Sequence, residues 1–358
     1  MKESHFLQLF LSLLQEAIWR GQKTLPKKLT EEETAWLFNI AKQQAVSGLI
    51  LDSLIRNNII IPQRLVFEAI GVVEQVKQNS KRINNGVLQL HQLMIEANSQ
   101  YVIVKGQPVA TYYPDALLRQ SGDVDYYCDA INFPKSENAI KKIWDIVPDS
   151  HDSDYHIHFD YHGVIYEGHF ALVKLYNAKK ERYWQQFLED DKGATVTIDG
   201  IEIKTLSPTL HTLYVFLHLY SHLIKLGVGL RQFCDLAVML HYVKNQIDHQ
   251  QLQNYLKALG MEKAFRACGS ILVDYLGLPE DDLGINLNNS DRRYGRKILD
   301  VVMYRGNMGH YNRYSGFTGW KHIIEASVIK FSHFVKFLPL APDYSCRWMI
   351  HVLKNILI

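Results

Sequence analysis

Apolar residues recur at helical spacing through the first 98 residues. The run Phe6–Leu14, interrupted by Gln8, passes into an amphipathic pattern through Glu16 and Arg20. No small-residue cleavage site follows, so it predicts a helix rather than a secretion signal. Thr30 and Glu33 have the spacing of a capping box and open a helix expected over Glu31–Arg56. Its apolar Trp36, Leu37, Ile40, Ala41 and Leu49–Leu51 keep the helical period. Pro62 suits the first turn of a long helix running towards Asn98, with a break expected near Gly71.

The period changes at residue 100. Gln100–Lys105 predicts a short strand ending at Gly106, and Pro108–Tyr113 a short helix, followed by a turn at Pro114-Asp115. Val124–Cys128 predicts a second strand, and Pro134 leads a helix through Trp144. Tyr155–Tyr161 and Val164–Val173 predict a hairpin turning at His162-Gly163, and Thr195–Ile203 another turning at Asp199-Gly200. From Ser207-Pro208 the pattern is helical again, with breaks expected at Gly227–Gly229, Gly277–Ser290 and Gly306–Gly319. This order predicts an α+β chain: an N-terminal helical region (1–98), a core with a small mixed sheet (99–205) and a C-terminal helical domain (206–358).

Composition changes the picture little. Of 358 residues, 47% are hydrophobic and 21% charged, as in soluble globular proteins; a net charge of +2 is too small to argue for nucleic acid by itself, and nucleic acid is not the expected partner. No apolar stretch reaches the roughly 18 residues of a membrane span. The four cysteines (Cys128, Cys234, Cys268, Cys346) lack metal-site spacing and suit reduced, mostly buried thiols of a cytoplasmic protein. Charge is uneven, with 11 Lys or Arg against 4 Asp or Glu from Asp291 to Ile358. The tail Gly316–Ile358 mixes Phe317, Trp320, Phe331, Phe334, Phe337 and Trp348 with Lys321, Lys330, Lys336 and Arg347. It reads first as helices packed on their predecessors with lysines in solvent, and alternatively as a peripheral membrane contact or a surface for single-stranded nucleic acid.

The candidate chemistry is concentrated in the core. Asp123 and Asp125 are two apart in a strand pattern, so both side chains share a face, expected at the edge of a buried sheet. Like charges at that spacing call for a cation, and oxygen ligands favour Mg²⁺ or Mn²⁺. Ser121 and Gly122 let the chain turn into that strand, and Gly106 precedes a helix N-terminus suited to phosphate. Glu167 offers a third carboxylate, with His169 on the same strand face. Among the helices, His218 and His222 lie one turn apart and read as core or pocket-lining residues. Arg231 and Asp235 read as an i, i+4 ion pair, with an Arg231–phosphate contact as the alternative. His151, His156, His158 and His162 read as mostly surface residues. Asp129 shares the parity of Asp123 and Asp125 but reads as solvated.

Lys105-Gly106, Tyr113-Pro114 and Arg119-Gln-Ser-Gly-Asp123-Val-Asp125 together resemble the polymerase-beta-like nucleotidyltransferase superfamily. Within it, the chain is similar to an uncharacterised bacterial nucleotidyltransferase family with a Lys-Gly and Arg-x-x-Gly-Asp-x-Asp signature. Glu167-Gly168-His169, His218 with His222, and Arg231 with Asp235 match later elements of that family. The resemblance implies a mixed-sheet nucleotidyltransferase core and transfer of a nucleoside monophosphate from a nucleoside triphosphate to an unidentified acceptor. It implies Asp123, Asp125 and Glu167 as metal-binding catalytic residues. Lys105, Gly106, Arg119, Ser121 and Gly122 are then expected near the nucleotide, and His169, His222, Arg231 and Asp235 near the acceptor or behind the ligands. Where the superfamily generally has Ser or Gly after the first strand's glycine, this chain has Gln107. That departure is the feature favouring a non-catalytic nucleotide-binding protein; a phosphotransferase is the third alternative.

Overall fold

The computed structural model describes residues 2–21, 24–149, 155–225, 227–313 and 319–356. The N-terminal periodicity becomes α1 (Lys2–Trp19), α2 (Glu31–Gln43), α3 (Ser47–Arg56) and α4 (Gln63–Glu96). The capping box forms as expected, with the Glu33 N–H donating to Thr30 Oγ1 and the Thr30 N–H donating to the Glu33 carboxylate. The single helix expected over Glu31–Arg56 is instead two. Ala45 takes a left-handed φ of 55°, and the buried Gln44 amide beside it bridges distant helices, donating to the Val302 carbonyl and accepting from the Leu230 N–H. The break expected near Gly71 does not occur. Helix α4 runs through it for 34 residues, about 50 Å, because one exposed glycine costs only about 1 kcal/mol in a long helix. Pro62 stands just before the first turn rather than in it.

The core follows as β1 (Val102–Ile103), α5 (Gly106–Ala110), β2 (Asp123–Tyr127), α6 (Phe133–Ile143), β3 (His156–Tyr161) and β4 (Val164–His169). The sheet order is β1-β2-β4-β3, with β2 and β4 parallel and the other pairs antiparallel, so it is mixed as expected. Strand β2 lies inside the sheet rather than at its edge. Strand β1 keeps only two ladder residues, since Lys105 leaves the extended region with φ 45°. Helix α7 (Ala178–Glu189) has no counterpart in the periodicity reading; it buries only Trp184 and is nucleated by the Asn177 side chain at its N-cap. Strands β5 (Ala194–Ile198) and β6 (Ile201–Thr205) form a separate ribbon turning at Asp199-Gly200.

The remainder is helical: α8 (Pro208–Lys225), α9 (Leu230–Tyr242), α10 (His249–Leu259), α11 (Glu262–Asp274), α12 (Asn289–Arg305), α13 (Gly319–Phe337) and α14 (Pro342–Ile356). Breaks fall where the glycines predict them. Phe337 and Trp348 are buried as expected for a packed tail, whereas Trp320 and Phe331 are exposed; Phe317 lies outside the described residues. Cys128, Cys234 and Cys268 are buried free thiols, and Cys346 is exposed.

Two apolar cores hold the chain. Residues of α1–α3 pack into one cluster with α8, α9 and α11 through side chains such as Phe10, Leu13, Phe216, Phe233 and Phe265. Each such burial contributes about 1.5–3 kcal/mol. The second core lies under the mixed sheet, where Val124, Tyr126, Ile157, Phe159 and Tyr166 meet Ile83, Val87 and Leu90 of α4 and Ile140 of α6. Gly168 belongs to this face. A Cβ there would lie 2.4 Å from the Tyr126 hydroxyl, so the tyrosine occupies the space that the missing side chain leaves. With one face of the sheet buried, period two turns the alternate residues of β2, β4 and β3 together to the other face.

Candidate functional site

That other face carries the carboxylates. In the parallel β2–β4 ladder Asp125 stands opposite Glu167, and Tyr127 opposite His169; in the adjoining ladder His158 faces Glu167 and His156 faces His169. Asp125 is 2% exposed. His169 Nε2 lies 3.0 Å from its Oδ1 and 3.6 Å from Glu167 Oε2. Because burial, first of all, keeps His169 neutral while Asp125 stays ionised, Nε2 must carry the proton and donate it, leaving Nδ1 as a bare acceptor. Burial opposes ionisation of Asp125, but the Lys105 ammonium and the His169 hydrogen bond hold its carboxyl well below the usual range. Asp123, half-buried one step along the same face, is pushed upward by Asp125 and then by burial. Glu167 is raised to about 8, first by burial and then by Asp125.

Lys105 enters from the end of β1, the strand beside β2. Its ammonium lies 2.7 Å from Asp125 Oδ1. Burial disfavours that charge most strongly, yet Asp125 together with Tyr214, Asp123 and Glu167 outweighs it and raises the pKa above the usual lysine value. Its backbone conformation, φ 45° and ψ −150°, is one a side chain-bearing residue rarely adopts. Neighbours fix it there: Val104 N–H donates to the Asp125 carbonyl at 2.9 Å, and Lys105 N–H donates to Nε2 of His211 on α8 at 3.1 Å. Gly106 follows with φ 49°. Two consecutive positive-φ residues thus turn the chain back over the carboxylates.

The Arg119–Gly122 turn is held from behind. Arg119 makes a bidentate pair with Asp235 of α9, 2.7 Å from Nε to Oδ1 and 2.8 Å from Nη2 to Oδ2. Its Nη1 donates to Ser121 Oγ at 2.8 Å. The Ser121 hydroxyl donates to Gln107 Oε1 at 2.5 Å, and Gln107 Nε2 donates to Asn84 of α4. Tyr113 donates its hydroxyl to Asp235 at 2.7 Å. Gln107 therefore occupies a buried chain of polar contacts, and it is not among the residues lining the pocket above the carboxylates. The i, i+4 pair expected between Arg231 and Asp235 is not made, because Arg119 and Tyr113 engage that carboxylate; Arg231 Nη1 donates instead to the Gln120 carbonyl. Gly122 is exposed at the start of β2, and Asp129 is exposed with its Oδ1 accepting the Ile131 and Asn132 N–H groups.

A pocket of about 290 Å³ lies between the sheet face and helices α8 and α9. Asp123, Asp125, Glu167, His169, Lys105, Gly106, Arg119, Arg231 and Asp235 line it, as do His218 and His222; Ser121 and Gly122 do not. Several lining residues escaped the sequence reading. Tyr214, Ser221 and Lys225 of α8 line the pocket, His211 stands one turn earlier against Lys105, and Lys174 and Gln232 come from elsewhere. His156, read as surface, also lines it, whereas His158 and His162 are exposed and His151 lies outside the described residues. The signal for α8 was present as a polar stripe, His211, Tyr214, His218, His222 and Lys225, at helical spacing in an otherwise apolar helix. Burial lowers the pKa of His222 to about 3 and that of His218 well below its usual value, so both are neutral. Burial, then Lys174 and Lys330, lowers Lys225 to about 8.

The pocket is thus acidic on the sheet side and cationic on the helix side. Four buried polar atoms of its lining have no hydrogen-bond partner: Nδ1 of His169 and of His222, Nε of Arg231, and Oε1 of Gln232. Such atoms cost about 1–3 kcal/mol each unless a ligand or water satisfies them. One ligand atom each from Asp125, Glu167 and His169 falls within 4.8 Å of the others. The two carboxylates of this group, with Asp123 beside them, offer the oxygen donors that fit a hard divalent cation, while His169 Nε2–H is turned to Asp125 and supports them. Asp123 itself stands outside that close group of three. A larger groove of about 1040 Å³ lies on the far side of the turn, between α2, α3 and α4, and holds Gln120 and Ser121 but none of the pocket's carboxylates.

A family described as "Uncharacterised nucleotidyltransferase" matches residues 30–277. No curated protein matches the chain. A solved structure titled "Crystal structure of an antigenic nucleotidyltransferase-like protein from Paracoccidioides brasiliensis" is similar at 16% identity, over 55% of this chain and 92% of that one. Its TM-score is 0.31, a likeness on which no argument rests.

Proposed function

The chain belongs to this family of uncharacterised nucleotidyltransferases, and from that premise we propose that the pocket moves a nucleoside monophosphate from a nucleoside triphosphate to a nucleophilic acceptor. The observation that carries this reading is Asp125 and Glu167 side by side on central parallel strands, with Lys105 and His169 against them at the floor of a pocket. The acceptor oxygen attacks the α-phosphorus and gives up its proton, the bond from that phosphorus to the bridging oxygen breaks, and pyrophosphate leaves. Asp123, Asp125 and Glu167 would hold Mg²⁺ or Mn²⁺, which when bound would lower the acceptor's pKa and offset charge on the phosphates. Lys105 moves its ammonium from Asp125 to a phosphate oxygen as the triphosphate arrives, and Gly106 lets the backbone approach. His169 orients Asp125 and Glu167 by its Nε2–H. Arg119, Ser121 and Gly122 shape the turn that presents Asp123, with Arg119 acting through its Asp235 pair. Arg231 and His222, with unpaired polar atoms on the helix side, meet the acceptor or the phosphates.

The position of Gln107 behind the turn, away from the pocket lining, supports the catalytic reading over the non-catalytic one. Calorimetry with Mg²⁺ and each of ATP, GTP, CTP and UTP tests the site. We expect metal-dependent binding of at least one triphosphate, lost in the double variant Asp125→Asn, Glu167→Gln. Undiminished binding in that variant would place the nucleotide elsewhere.

A further inference from the structure

Helix α13 has two apolar faces. Ile329, His333 and Phe337 are buried where the helix packs on α8. On the opposite side Trp320 (68% exposed), Ile323, Ile324, Val328, Phe331 (60% exposed) and Val335 form a stripe that includes the exposed Ser327. At 100° per residue these six fall within an arc of roughly 140°, with the buried three centred on the far side. Lys321 and Lys330 flank the stripe, roughly 100° and 80° from Trp320 in opposite senses. Helix α14, which packs against α13, exposes Ile350 and Leu353 as well. Single exposed apolar residues are ordinary, but a stripe of six large ones on one helix marks a surface that something covers.

We propose that this face of α13 docks on the surface of an anionic phospholipid bilayer, with the helix lying in the interface. Charge complementarity selects that occupant. Lysines on both flanks of an apolar stripe can bury their methylene stems and hold their ammonium groups at headgroup level. The surrounding segment, with 11 Lys or Arg against 4 Asp or Glu from Asp291 to Ile358, adds to the attraction. A second copy of the chain is a poorer complement, because a symmetric interface would set the same basic rim against itself. The helix lies along the bilayer rather than across it: no helix among the described residues is long and apolar enough to cross a membrane.

Co-sedimentation of the full chain with vesicles tests the proposal. Mixed phosphatidylglycerol–phosphatidylcholine vesicles should bind the protein, and phosphatidylcholine alone should bind it much more weakly. Added salt should release part of the bound protein. The double variant Ile324→Asp, Phe331→Asp and the double variant Lys321→Glu, Lys330→Glu should each lower the partition coefficient about tenfold or more. Ile324, Phe331 and Lys321 are exposed and Lys330 is half-buried, so the variant Ile324→Asp, Phe331→Asp should melt like the parent. Failure to bind mixed vesicles at low salt, or unchanged binding by Ile324→Asp, Phe331→Asp, overturns the proposal. So does a dimer in sedimentation velocity that this variant dissolves, which would assign the face to a second copy.

Discussion

The Lys105 ammonium lies 2.7 Å from Asp125 Oδ1, in the place where a cation is needed. Lysine and a divalent ion therefore compete for one buried carboxylate. Replacing Lys105 by Met should destabilise the metal-free protein by about 3–5 kcal/mol, since the buried Asp125 carboxylate loses its ammonium partner. Added Mg²⁺ or Mn²⁺ should raise the melting temperature of this variant more than that of the parent. An equal response in both would show that the ion does not bind at Asp125.

Restoring the superfamily's small residue at position 107 should harm rather than help. Gln107 accepts from Ser121 and donates to Asn84 deep in the protein. Gln107→Ser should cost about 1–3 kcal/mol in chemical denaturation, the penalty for leaving buried polar partners unmatched, with no gain in nucleotide affinity. A tighter complex would show that the glutamine obstructs the pocket.

Asp235 neutralises Arg119 in a nearly solvent-free pair. Asp235→Ala should cost about 3–5 kcal/mol by leaving a buried guanidinium uncompensated. The double variant Arg119→Met, Asp235→Leu should recover much of that stability in urea melts. It should still lose nucleotide binding if the pair's task is to hold the turn before Asp123.

Away from the pocket, Glu16 receives the Ser53 hydroxyl at 2.5 Å and both terminal nitrogens of Arg56 at 2.6 and 2.7 Å. Burial opposes its ionisation, but these partners lower the folded pKa below the usual carboxylate value. A lowered carboxylate stabilises the fold above its unfolded pKa of about 4.3, and that contribution is lost as pH falls through the folded value. Glu16→Gln should therefore cost about 1.5–3 kcal/mol at pH 7 and converge with the parent in strong acid. Parallel stability curves down to pH 2 would contradict this.

Much of the core was legible because it depends on local period. Alternation in β2 and β4 puts Asp123, Asp125, Glu167 and His169 on one face whatever the surroundings, and paired glycine signals mark the hairpins. What was hidden depends on partners far along the chain. By spacing alone Arg231 is the natural mate of Asp235 at i, i+4, whereas Arg119 reaches that carboxylate from 116 residues away. The split between α2 and α3 has no Gly or Pro to announce it; the buried bridging role of Gln44 imposes it. Helix α7 escaped because a polar helix resting on one tryptophan has little apolar period. The turn at Lys105 is likewise set by β2 and His211, not by the residue itself.

The most direct measurement follows the label through a turnover. The protein is incubated with Mg²⁺ and a nucleoside triphosphate labelled at either the α- or the γ-phosphate, together with a panel of small-molecule and protein acceptors. We expect α-label to move to an acceptor and γ-label to leave as pyrophosphate, and both events to fall at least about a thousandfold in Asp123→Asn, Asp125→Asn. Transfer of γ-label instead, or undiminished transfer by that variant, would contradict it.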